Sequence, residues 1–315
     1  MKKPLLYVSA VILPALCAIG VCNAQKQTEP VNVFVSIMPQ KYFVERVGGD
    51  LVKPYVLVGP GHSPATYEPS PRQMSELSRA KIFFRIGVPF ERSIMPKIES
   101  TFENLTVVDT RKGIKLRKAA EEHDHDREEE GRRHGEEHGA GHEAEHEHEA
   151  GAPDPHIWLD PILVKTQAKT ICDALSKLDP EHAGVYAENL KDFQNDLDKI
   201  NRKISKVLAP MKGQVVFVFH PAYGYFTDRY GLKQTAVETG GRRPTAKQLS
   251  ALIDRAKHAR VTVIFVQPQF DRKNAQAIAD AIGGAVVSLD PLSPEYLKNL
   301  ERMASRIESA QAVKE

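Results

Sequence analysis

Apolar residues recur in short blocks through both halves of the chain. In the first half, residues 31–37, 53–58, 80–86 and 106–109 are strand-length runs rich in β-branched and aromatic side chains. Between them, residues 41–48, 71–78 and 90–101 carry helical spacing. The second half repeats the pattern. Strand-like blocks at 215–219, 233–237, 261–266 and 285–289 alternate with helical stretches at 246–258, 272–281 and 294–311. Alternation at this spacing predicts an α/β chain of βα units, with mainly parallel sheets covered by helices.

Two helices join the halves. Residues 161–178 place Ile162, Val164, Ala168, Ile171, Ala174, Leu175 and Leu178 mostly on one side, and Asp160 is placed to cap them. Asp179 is expected to cap a longer helix, with Pro180 in its first turn. There Tyr186, Leu190, Phe193, Leu197, Ile200, Ile204 and Val207 recur at alternating steps of four and three. Up to Pro210 and Gly213, which end it, this helix would have about 30 residues and run about 45 Å. The expected architecture is two βα lobes joined by a long rigid helix, with a cleft between them. The expected divisions are a leader at 1–24, a first lobe at 25–178, the linking helix at 179–210 and a second lobe at 211–315.

One stretch breaks the pattern. Residues 121–150 hold thirteen Asp or Glu and seven histidines (His123, His125, His134, His138, His142, His146 and His148), with no large apolar side chain. Such a segment cannot bury enough surface to offset the entropy of ordering, and a disordered loop is expected. His134, His138, His142 and His146 are spaced by four, so on a helix they would form one ladder able to chelate metal in pairs. Gly135, Gly139 and Gly141 oppose that helix at rest, so metal itself would order it. The loop reads as an accessory metal-capturing tether; the plain alternative is a solvated acidic linker.

The formal net charge is only +2, and no basic cluster is interleaved with aromatics, which argues against nucleic-acid partners. Lys2 and Lys3, an apolar stretch at 5–21 and then Cys22-Asn23-Ala24 have the form of a secretory leader cut after Ala24. Leu16 precedes Cys17 and Val21 precedes Cys22, a poor fit to a lipid-anchor cut. A soluble, periplasmic, monomeric product is expected. Cys172 is then the one cysteine of the mature chain, which excludes an internal disulfide and suits a small buried side chain in a helix.

Outside the loop lie His62, His156, His182, His220 and His258. His220 follows the strand block 215–219, His62 follows the block 53–58, and His156 opens a short apolar segment. Asp290 follows the last strand block and precedes Pro291. Three imidazoles and a carboxylate from four junctions would make a tetrahedral N/O site suited to zinc. Each has a plainer role available: a backbone hydrogen bond for a histidine, a turn or cap for Asp290. His182 and His258 sit in terminal helical turns, are expected to face solvent, and are set aside. Protonated imidazole cannot ligate, so metal binding at such a site weakens as the pH falls through the imidazole range.

Asp154-Pro155-His156-Ile157-Trp158-Leu159-Asp160-Pro161 resembles the central metal motif of the zinc- and manganese-specific solute-binding proteins of bacterial ABC importers. Phe219-His220-Pro221-Ala222-Tyr223-Gly224-Tyr225-Phe226 is similar to the second histidine motif of that family, Tyr67-Glu68-Pro69-Ser70-Pro71 to its first, and Ser288-Leu289-Asp290-Pro291-Leu292 to its last. The acidic, histidine-rich insertion is a mark of the zinc-binding branch. The resemblance implies metal held between two lobes by His62, His156, His220 and Asp290, and delivery to a membrane permease with its ATPase. It also implies a departure. The position two residues before the motif tyrosine, ordinarily histidine, is Ala65. His62 stands three residues upstream as its replacement; a water, Glu68 or a loop histidine are the other ways to fill the shell. Manganese or iron(II) is the alternative cargo. A zinc hydrolase is the rival enzymatic reading, but outside residues 121–150 no HExxH-type pairing of ligand and base occurs. A metal-buffering or adhesive surface protein, with the loop as its working part, is the third.

Overall fold

The computed structural model describes residues 29–118, 153–238, 246–258, 260–270 and 272–312. The expected leader at 1–24 and the histidine-rich run at 121–150 lie outside the described residues. The first lobe comprises β1 (Val31–Ile37), α1 (Met38–Gly48), β2 (Val52–Val58), α2 (Pro71–Leu77), β3 (Ile82–Arg85), α3 (Pro89–Thr101) and β4 (Thr106–Asp109). Two helices follow, α4 (Pro161–Leu178) and α5 (Ala183–Leu208). The second lobe has β5 (Val215–Val218), α6 (Gly224–Tyr230), β6 (Lys233–Ala236), α7 (Ala246–His258), β7 (Val263–Val266), α8 (Arg272–Ile282), β8 (Ala285–Ser288) and α9 (Tyr296–Ala312).

Each lobe contains one four-stranded sheet, ordered β2-β1-β3-β4 and β6-β5-β7-β8, and every strand pair is parallel. From Val33 on, β1 is buried at every position. A parallel strand covered on both faces reads as a continuous apolar run, and that is why these strands were visible as blocks without alternation. The expected two-lobe α/β architecture is the observed one.

The long helix departs from expectation at its start. Asp179 does not cap it. The Asp179 carboxylate instead accepts the Tyr186 hydroxyl at 2.8 Å and meets His182 Nδ1 at 2.8 Å. Pro180–His182 form a 3-10 turn, and α5 begins at Ala183 with no side-chain cap. His182 is therefore half-buried against Asp179 rather than facing solvent, whereas His258 is exposed. Asp160 does cap α4, accepting from Ile162 N–H at 2.8 Å. It also takes a two-pronged ion pair from Arg229 of α6, at 2.7 Å for the closest oxygen, which ties α4 to the second lobe. Cys172 is buried in α4 as a free thiol, as expected, and burial pushes that thiol up.

The core is shared between lobes. One apolar cluster contains β1 and β3, the α5 stripe of Tyr186, Phe193, Leu197, Ile200, Ile204 and Leu208, and the α9 residues Tyr296, Leu300, Met303 and Ile307. Tyr296 meets Phe43 of α1 edge-to-face at 4.8 Å, so the last helix reaches into the first lobe. A smaller cluster under α7 and α8 belongs to the second sheet alone. No helix among the described residues is long and apolar enough to cross a membrane.

In both sheets the strand order reverses next to the first strand, between β1 and β3 and between β5 and β7. Open parallel sheets bind ligands beyond the carboxyl ends at such a reversal. In the first lobe this place is filled by the protein itself. Glu91, only 2% exposed, accepts the Ser36 hydroxyl at 2.6 Å and the N–H groups of Ile86 and Gly87 at 2.9 and 2.8 Å. Burial pushes the Glu91 carboxyl up, against the pull of these three donors. A carboxyl raised in the folded state contributes most below its unfolded value, about 4.3, and loses that contribution as the pH rises through the folded value. Glu91→Gln should therefore gain ground on the wild type between pH 4 and neutrality. Urea unfolding of both proteins across that range checks it; a gap that moves the other way overturns it.

Candidate metal centre

At the strand-order reversal of the second lobe, just after β5, stands His220. Phe219 continues β5 by donating to the Phe265 carbonyl at 2.8 Å, and His220 follows at once. Its Nδ1 lies 2.9 Å from Glu238 Oε2, and its ring stacks on Phe270 at 5.3 Å. Glu238 reaches this position because it follows β6, the neighbour of β5; its N–H donates to the Phe219 carbonyl at 2.8 Å.

His156 arrives from the first lobe's side. It directly precedes the 3-10 turn Ile157–Leu159, whose three side chains are all buried. Its Nδ1 lies 2.7 Å from Asp154 Oδ1, and its ring leans on Trp158 at 5.0 Å. The imidazoles of His156 and His220 face each other edge-to-face, 5.5 Å between centroids. A tetrahedral zinc with Zn–N bonds of about 2 Å holds two imidazole centroids about 5 Å apart. The side chains are 17% and 19% exposed, so the pair is sheltered but reachable.

Asp290 ends the segment after β8. Its Oδ1 accepts from Leu292 N–H at 3.0 Å and Gln269 Nε2 at 3.2 Å. Trp158 stitches this corner to the His156 segment. Its indole N–H donates to the Pro291 carbonyl at 2.8 Å, and its own carbonyl accepts the Tyr296 hydroxyl at 2.7 Å. Tyr223 donates its hydroxyl to the Leu289 carbonyl at 2.5 Å; burial first, then the Asp290 carboxylate, raise that phenol well above its ordinary value and keep it a donor.

His62 lies on the loop after β2, exposed, with its ring against Tyr67 at 5.7 Å. Gly61 takes a positive φ of 80°, a bend that favours glycine, immediately before it. The end of this loop is firm: Ser70 and Gln73 form a reciprocal cap on α2, and Gln73 receives the Tyr67 hydroxyl at 2.9 Å. Ala65 is half-buried and Glu68 exposed. Among the described residues, no group of three or more His, Cys, Asp or Glu is gathered closely enough to hold a metal ion. Of the four expected ligands, then, the structure pairs His156 and His220, leaving His62 on its own loop and Asp290 at the last strand's end. The seven loop histidines lie outside the described residues.

Reading from the sequence overlooked Asp154, Glu238 and Gln269 as partners of these side chains. Glu238 was findable, because it occupies a strand-to-loop junction of the same kind that marked His220.

Residues 33–310 match the family model described as "ZnuA: Zinc-uptake complex component A periplasmic". The chain belongs to the ZnuA family. The match runs from β1 into α9 and so takes in both lobes and the helices between them. A relative named high-affinity zinc uptake system protein ZnuA, from Brucella abortus, is 33% identical over 294 residues, covering 88% of each chain. A solved ZnuA crystal structure superposes with a TM-score of 0.78 at 36% identity, covering 89% of this chain and 99% of its own. A ZnuA deletion mutant solved with zinc bound gives the same TM-score and identity. The resemblance carried by the four sequence motifs is thus that of the whole ZnuA-type chain, and the two-lobe α/β architecture is the ZnuA one.

Proposed function

We propose that this protein captures zinc between its lobes outside the cytoplasm and hands it to the membrane permease of an ATP-driven importer. It catalyses no reaction, and zinc is its cargo. The observation that carries this reading is the imidazole pair, His156 and His220, each backed by a buried carboxylate at hydrogen-bond distance. Neutral imidazoles held this way are ready ligands. Asp290 supplies the third ligand through its second oxygen, and His62 the fourth from its exposed loop. The leader at 1–24 directs export, and the mature chain acts as a monomer. The loop histidines serve as accessory capture. Family membership, with relatives named for zinc uptake and a zinc-bound solved relative, favours zinc over manganese or iron(II). Three imidazoles point the same way, since manganese prefers more oxygen.

Deleting residues 121–150 tests the reading. Tight one-to-one zinc binding is expected to survive in calorimetric titration, with only weak additional binding lost. Loss of the tight site with the loop would place the primary site elsewhere. In parallel, His62→Ala is expected to weaken zinc binding less than His156→Ala. A His62→Ala protein with unchanged affinity removes His62 from the shell.

A further inference from the structure

Both ligand-bearing histidines meet a carboxylate through the same nitrogen. His156 Nδ1 faces Asp154 Oδ1 at 2.7 Å, and His220 Nδ1 faces Glu238 Oε2 at 2.9 Å. An ionised carboxylate can only accept. In the neutral ring Nδ1 must therefore carry the proton, which leaves the Nε2 lone pair bare. We propose that Asp154 and Glu238 are positioning residues that commit both imidazoles to Nε2 ligation before zinc arrives. This inference rests on the assignment of His156 and His220 as ligands.

The two carboxylates are built in, not adventitious. Asp154 is 4% exposed and Glu238 7%. Glu238 is fixed by the sheet, through its N–H to the Phe219 carbonyl beside His220. Asp154 is fixed by a clamp of three contacts. Its N–H donates to the Arg117 carbonyl at 2.9 Å, and its carbonyl accepts the Tyr225 hydroxyl at 3.0 Å. That same hydroxyl accepts the Arg117 N–H at 2.9 Å. The Arg117 guanidinium lies over the Tyr225 ring, 3.7 Å from Asp154 Oδ2 and 3.3 Å from Asp228. Asp154 Oδ1 is left to His156, where it accepts both the backbone N–H at 3.0 Å and Nδ1. The neighbouring bridge between Lys118 and Pro153 closes the root of the histidine-rich insertion beside this clamp. With its backbone held on both sides and its carboxylate buried, Asp154 sets the ring's angle as well as its tautomer.

The test uses the mature chain. Long-range proton–nitrogen spectra of the zinc-free protein should show His156 and His220 with Nδ1 protonated and Nε2 bare. Asp154→Ala and Glu238→Ala should each lower zinc affinity roughly 10- to 100-fold, measured by chelator competition, and should scramble the tautomer of their own histidine. Asp154→Asn and Glu238→Gln keep the side chain's size but bring an NH2 that can donate to Nδ1, so they should leave the tautomer mixed and recover only part of the affinity. A mixed tautomer in the wild type, or alanine variants with wild-type affinity, overturns the proposal. Its failure is separable from failure of the ligand assignment. If His156→Ala and His220→Ala retain full affinity while the tautomers are as stated, the ligand assignment falls and takes the proposal with it. If those variants lose zinc while the wild-type tautomers are mixed, the positioning role alone falls.

Discussion

Replacing His156 or His220 with alanine is expected to weaken zinc binding by roughly 100- to 1,000-fold. Zinc held by four protein ligands in small peptides is worth about 10–16 kcal/mol at neutral pH, or about 2.5–4 kcal/mol per ligand. At about 1.4 kcal/mol per decade this gives two to three orders of magnitude. The zinc-free fold should survive, because both rings are partly exposed and fill no core position, at a cost of about 1–3 kcal/mol for the buried carboxylate left without its imidazole. Chelator competition measures the affinity, and thermal unfolding of the metal-free variants checks the fold. A variant that keeps zinc within threefold of the wild type, with its fold intact, is incompatible with ligation by that histidine.

The largest effect on stability is expected at Trp158, which is 1% exposed. Trp158→Ala removes the largest fully buried side chain, at a cost of about 3–5 kcal/mol. It also strips the Pro291 carbonyl of its indole donor, in the segment that carries Asp290. Trp158→Phe retains much of the packing and isolates the hydrogen bond, costing about 1–3 kcal/mol for the carbonyl left buried. Urea unfolding reads both. Because the indole joins the His156 segment to the Asp290 segment, both variants should also bind zinc more weakly. A Trp158→Ala protein as stable as the wild type would mean that the stitch is not what holds these segments together.

Much of this molecule was legible in its sequence because its elements announce themselves chemically. β1 and α4 fall within the residues that apolar runs, the Asp160 cap and Pro161 indicated. His220 does stand directly after β5, where the end of its apolar block placed it. What escaped notice depended on partners far away in the chain. α6 opens on a glycine and spans seven residues, too few for a helical period to stand out. Asp179 looks like a cap, yet Tyr186 and His182 draw its carboxylate aside, and only the folded geometry reveals the competition. Glu238 is 18 residues from the histidine it supports and Gln269 is 21 from Asp290; pairings at that separation leave no periodic trace. Of the four proposed ligands His62 is the least anchored: Asp154, Glu238 and Gln269 meet the other three side chains, while His62 has an edge-on ring contact with Tyr67.

Tyr296 of the last helix sits among Tyr42, Phe43 and Phe193, so the end of the chain closes a core begun near its start. This has a consequence for anyone recombining such proteins. The lobes are not interchangeable modules. A chimera that takes one lobe from a relative must take matching faces of α1, α5 and α9 with it, or those rings meet strangers. The same dependence means that a chain stopped short of α9 lacks part of the first lobe's interior, and synthesis must reach Tyr296 before that interior is complete.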